Sequence, residues 1–102
     1  MYLIQILLPM TDENKDPFPA EYYSVLAETL TEKFGGVTAY MPSPATGLWK
    51  QDQNTTVKDQ IAILEVMADR LDFSEWKKIK DDLGRKFRQE EILMRTFQVT
   101  VL

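Results

Sequence analysis

Two short stretches, YLIQILL at Tyr2–Leu8 and IAILEVM at Ile61–Met67, constrain this chain more than anything else in it. Each is apolar except for one polar residue, Gln5 in the first and Glu65 in the second. Runs this short, rich in isoleucine and closed by proline or by polar sequence, read as buried central strands.

The segments between and around them supply the rest of a fold. The polar loop TDENKDPFP follows the first strand, and Pro19 suits the first turn of a helix. From Pro19 to Phe34, Tyr22 or Tyr23, Leu26, Leu30 and Phe34 recur at helical spacing. Gly35 and Gly36 end that helix, one of them as a left-handed cap. Val37 to Met41 is a second strand. PSPATG turns the chain, and Gly47 to Lys50 continues or extends that strand. QDQNTT is a polar loop before the third strand, Lys58 to Met67. Asp72 and Glu75 have the spacing of a capping box and open a second helix. Its inner face carries Trp76, Ile79 or Lys80, Leu83 and Phe87, and Gly84 inside it marks close packing. Ile92 to Val101 alternates as a fourth strand. The order βαββαβ predicts a ferredoxin-like α+β domain spanning all 102 residues. Right-handed crossovers place both helices on one face of a four-stranded antiparallel sheet of spatial order 4-1-3-2.

Composition narrows the chemistry. The chain has no cysteine, which removes disulfides, thiolate metal sites and thiol nucleophiles. It has no histidine, the commonest general base and transition-metal ligand. No cofactor and no metal are expected. Twelve basic against sixteen acidic residues leave a net charge of −4, which disfavours nucleic-acid binding. The acids of DENKD lack the glycine and glutamate that a calcium loop needs, since Pro17 and Tyr23 stand there. The opening MYLIQILLPM lacks a basic leader and is too short to cross a bilayer, so neither membrane insertion nor export is expected and the location expected is cytoplasmic.

Strand alternation then sorts residues between a helix-covered face and an open one. A charge does not belong beneath the helices, so Gln5, Glu65 and Arg95 fall on the open face. Their neighbours there are Leu3, Leu7, Ile61, Ile63, Met67, Phe97 and Val99. An apolar surface of that size needs a cover, which predicts a homo-oligomer, a dimer in the first instance, or a bound small molecule. Arg95 lies two strands from Glu65, with Gln5 between, close enough to reach across to the carboxylate. Either Glu65 and Arg95 form a structural ion pair, or they make the polar floor of a pocket with Arg95 as anion binder or Glu65 as base. Thr38 and Tyr40 point to the same face, and Trp49 follows a glycine-containing turn that can fold over it. The candidate ligand-binding set is therefore Gln5, Thr38, Tyr40, Trp49, Glu65 and Arg95, and no residue is assigned a catalytic role.

FGGVTAY, then GLW, then FRQEEIL resemble a family of short, uncharacterised bacterial proteins over nearly the whole chain. The resemblance implies a ferredoxin-like fold similar to the dimeric α+β barrel proteins, in which two sheets pack open face to open face around a pocket. It implies no activity, and the missing histidine sets this chain apart from barrel proteins that use one. Two functions remain open. One is a non-catalytic ligand-binding or assembly module that oligomerises through its open face. The other is a small cofactor-independent enzyme, isomerase or oxygenase-like, with its pocket there.

Overall fold

The computed structural model describes residues 1–41, 46–50 and 56–102, with side chains described for 1–41 and 60–102. In chain order the elements are β1 (Tyr2–Pro9), α1 (Ala20–Phe34), β2 (Thr38–Tyr40), β3 (Thr46–Lys50), β4 (Thr56–Ala68), α2 (Phe73–Lys86) and β5 (Leu93–Gln98). The sheet runs β2-β4-β1-β5 and every pairing in it is antiparallel. This is the expected α+β arrangement, with the two most apolar strands at its centre.

The Gly47–Lys50 extension is a strand of its own. β3 pairs with Thr56–Gln60, the half of β4 that runs past the end of β1, while β2 pairs with Glu65–Ile63 further along the same edge. β4 is accordingly 13 residues long and begins at Thr56, not at Lys58. The last strand is shorter than its alternation suggests: β5 ends at Gln98, although Val99 still donates its N–H to the Met1 carbonyl at 2.9 Å.

Local chemistry explains the helix ends. Pro19 precedes α1 with no side-chain cap, and Gly35 ends the helix at φ 86°, donating its N–H to Thr31 O. A side chain at that φ is strained, which is why glycine stands there. Asp72 caps α2 by accepting the Glu75 N–H at 3.1 Å. The reciprocal half of the capping box is absent, because the Glu75 carboxylate accepts from Lys33 Nζ of α1 instead. The close packing expected at Gly84 is against the chain's own turn out of α2. Gln89 donates its N–H to Gly84 O as the chain turns out of α2, and a Cβ on Gly84 would lie 3.3 Å from the Gln89 carbonyl.

Both helices cover one face. Ile4, Ile6 and Leu8 of β1 and Ala62, Leu64 and Val66 of β4 are each no more than 3% exposed beneath them. Leu30 of α1 and Leu83 of α2 close over these residues from above. At one end Phe18, Tyr22 and Tyr23 gather around fully buried Phe87, with ring centroids 4.9–5.4 Å apart. Tyr23 donates its hydroxyl to Pro9 O at 2.6 Å, and burial pushes its pKa up to about 12.

Candidate functional site

The face away from the helices carries Leu3, Leu7, Ile61 and Ile63, all half-buried, and the more exposed Met67, Leu93 and Phe97. Register places Arg95, Gln5, Glu65 and Thr38 in one row across β5, β1, β4 and β2, because Gln5 stands opposite both Arg95 and Glu65, and Thr38 stands opposite Glu65. Register thus brings Gln5, Thr38, Glu65 and Arg95 into line, while Val99, expected beside them, lies beyond the end of β5.

A directed chain of hydrogen bonds runs along the row. Arg95 Nε donates to Gln5 Oε1 at 2.7 Å. Gln5 Nε2 donates to Glu65 Oε2 at 2.5 Å. From the other side the Tyr40 hydroxyl donates to Glu65 Oε1 at 3.1 Å. A phenolate would lose that hydrogen bond and be repelled by the carboxylate, so the hydrogen bond to Glu65, its charge and some desolvation raise the Tyr40 pKa. The expected direct contact from Arg95 to Glu65 is not made: Gln5 fills the two-strand gap with one acceptor and one donor. The Arg95 guanidinium also lies over the Phe97 ring, 5.9 Å from its centroid.

Thr38 sits beside Glu65 in register, and its hydroxyl makes no hydrogen bond among the described residues. Trp49 lies on β3 opposite Val57, and its side chain lies outside the described residues. The structure adds what the sequence reading treated as purely structural. Phe34, Gly35, Gly36, Val37 and Thr38 form one wall of a cleft of about 460 Å³, and Leu3, Glu65 and Met67 form the other. An added Cβ on Gly36 would meet no atom within 4 Å, so bare backbone faces open space close to the carboxylate. No local signal marks this proximity, because it arises from the return of β2 alongside β4.

Chemically, the row presents a carboxylate whose oxygens each accept one hydrogen bond among the described residues and can still accept from a ligand. It presents a guanidinium with donors left over, two strand spacings or roughly 10 Å away. It therefore suits a molecule that carries an N–H donor or cation at one end and an acceptor or anion at the other. Among the described residues no cluster of acids has the geometry of a metal site, and no helix is long and apolar enough to cross a membrane.

The geometry defines a small α+β protein with a polar row crossing an apolar sheet face. No protein-family model matches the chain, and no curated protein matches it. Solved structures do. A phage SAM lyase in complex with S-methyl-5'-thioadenosine superposes with a TM-score of 0.60 at 12% identity, covering 95% of this chain and 80% of the lyase. A phage SAM lyase in its apo state gives 0.57 at 11%, covering 94% and 78%. At such identities the likeness establishes a shared fold.

Proposed function

We propose that the protein is a small-ligand-binding domain that works as a homo-oligomer, its pocket lying where the open face of one copy is covered by another. The observation that carries this reading is the Arg95–Gln5–Glu65–Tyr40 row. Four strands each commit one polar side chain to a hydrogen-bonded line within a surface that is otherwise apolar. A merely solvated face has no need of such order, and an uncovered one of this composition is unfavourable in water. The ligand is a small molecule with an N–H donor or cation for Glu65 and an acceptor for Arg95. Thr38 and Tyr40 line its edge. On this reading the site needs no metal or organic cofactor, and the protein is a cytoplasmic, single-domain relative of the short bacterial proteins that its sequence resembles.

A thermal-shift screen of amino acids, nucleosides and their thioether and sulfonium derivatives tests the reading, because a ligand of the folded state raises stability by mass action. Sedimentation at about 10–100 μM, the range in which modest interfaces assemble, tests the oligomer. A monomer that no compound stabilises refutes both parts.

The small-enzyme reading is supported by one observation, that the matched structures are named as lyases and one holds S-methyl-5'-thioadenosine. In that reading Glu65 is the base and Arg95 orients the substrate. Incubation with SAM, followed by chromatography for S-methyl-5'-thioadenosine, decides it. Release of that product by the wild type and its loss in Glu65→Gln support the lyase reading, whereas binding without turnover supports the binding module.

A further inference from the structure

Among the described residues β5 is the outer strand of the sheet, paired only with β1. Val99 donates to Met1 O, so Val99 and Met1 are a hydrogen-bonded pair, and by alternation so are Phe97 with Leu3, Arg95 with Gln5 and Leu93 with Leu7. The backbone N–H and C=O groups of Met94, Thr96 and Gln98 therefore point away from the sheet. No hydrogen bond engages them among the described residues. The strand carries one charge, Arg95, whose Nε is held by Gln5 on the open face; otherwise LMRTFQ contains no proline and no lysine, and its register with β1 is continuous.

Beside this edge, on the helix side, lies a pocket of about 220 Å³ between β5 and α2. Ile4, Leu71, Trp76 and Met94 make it apolar, and Phe73 stands at its lip with 77% of its surface exposed. Lys77 and Lys80 form the rim, and no acid is among the lining residues, in a protein whose net charge is −4. Both lysines have partners, Asp81 and Glu91, but these are exposed pairs of the weak kind that a better-placed acid displaces. The Arg95 Nε is committed to Gln5 on the opposite face.

We propose that the β5 edge and this pocket form a docking groove for an extended, acidic segment of another protein, which adds as a further strand beside β5. The groove is distinct from the open face and does not depend on the function proposed for it. Main-chain bonds to Met94, Thr96 and Gln98 hold the segment, and its alternate side chains fall on the two faces. One bulky apolar residue on the helix side enters the pocket, which exceeds the roughly 150 Å³ that accommodates a benzene ring. Flanking Asp or Glu residues on that side meet Lys77 and Lys80. Charge argues against a second copy as the occupant. Two-fold pairing of β5 with β5 would set α2 beside its counterpart and bring lysine rim against lysine rim.

The test uses the full chain and random heptapeptides displayed on phage. Enriched peptides should carry one Leu, Ile, Phe or Met flanked by Asp or Glu. When synthesised, they should shift the amide signals of Met94, Thr96 and Gln98 and slow their hydrogen exchange. Thr96→Pro removes an outward N–H that the sheet does not use. It should weaken peptide binding at least tenfold while leaving the circular dichroism spectrum and melting temperature near wild type. Lys77→Glu with Lys80→Glu should turn the selected flanks from acidic to basic. Absence of enrichment, binding that survives Thr96→Pro, or shifts confined to Leu7, Glu65 and Phe97 would overturn the proposal. So would a dimer that Thr96→Pro converts to monomer, since the edge would then belong to a second copy. If Thr96→Pro fails to fold, Met94→Trp, which fills the pocket and keeps the edge, serves in its place and should abolish selection for the apolar anchor.

Discussion

Replacing Gln5 with leucine removes the middle of the polar row at nearly constant volume. Two hydrogen bonds are lost. The 2.5 Å bond to Glu65 Oε2 has a charged acceptor, and bonds of that kind contribute about 1.5–3 kcal/mol. The bond from Arg95 lies on an exposed side chain and contributes a fraction of that. Glu65 keeps Tyr40 and is only half-buried, so water replaces part of what is lost. The net cost comes to about 2 kcal/mol, which in a domain of this size lowers Tm by roughly 8–16 °C. Arg95→Ala breaks only the outer bond and should cost about 1 kcal/mol or less, because the carboxylate retains both of its partners. In the Gln5→Leu background Arg95 has already lost its acceptor, so the two costs should fall short of additive. Urea denaturation of the four proteins at pH 7 measures this as a double-mutant cycle, with an unchanged m-value as the check on two-state behaviour. If Arg95→Ala costs more than Gln5→Leu, the arginine acts on Glu65 directly and the reasoning fails. Gln5→Glu extends the test. It places a second carboxylate opposite Glu65, so its pKa should rise, and stability lost at pH 7 should return as pH falls and one of the pair takes up a proton.

Tyr23 should govern alkaline unfolding. Its folded pKa of about 12 lies above the ordinary 10.0, so the protonated form is favoured by folding, and stability present below pH 10 declines as pH rises towards 12. Tyr23→Phe, followed by thermal melts between pH 8 and 12, should flatten that decline. Gly35→Ala should cost about 1–2 kcal/mol by forcing a Cβ into the left-handed region, whereas Gly36→Ala, with open space around its Cβ, should be near neutral in the same denaturation assay. Phe87→Ala should cost about 3–5 kcal/mol, because it empties the centre of the aromatic cluster, and an unchanged urea midpoint would contradict the burial described for it.

Much of this architecture is legible in the chain alone, for a physical reason. Period-two and period-3.6 patterns record which side chains must leave water, and that is a local property. YLIQILL and IAILEVM had to be central strands because both their faces are largely apolar, and the order of elements then leaves one plausible sheet. Gln5, Glu65 and Arg95 could be placed on one face because a single polar residue in an apolar strand has only one face where water or a partner can reach it. Tertiary structure alone decided what depends on distances between remote segments. The register that sets Gln5 opposite both Arg95 and Glu65 makes the glutamine a bridge, where the sequence left a direct Arg95–Glu65 ion pair as one of two readings. The return of β2 beside β4 brings the Gly35–Gly36 backbone to the Glu65 cleft, although the glycines themselves announce only a helix end. The pocket between α2 and β5 has no sequence signature, because Phe73, Trp76 and Met94 each look like ordinary core residues. Only the packing of α2 beside β5 sets them around a shared space, and only the strand order leaves an unpaired edge at its side.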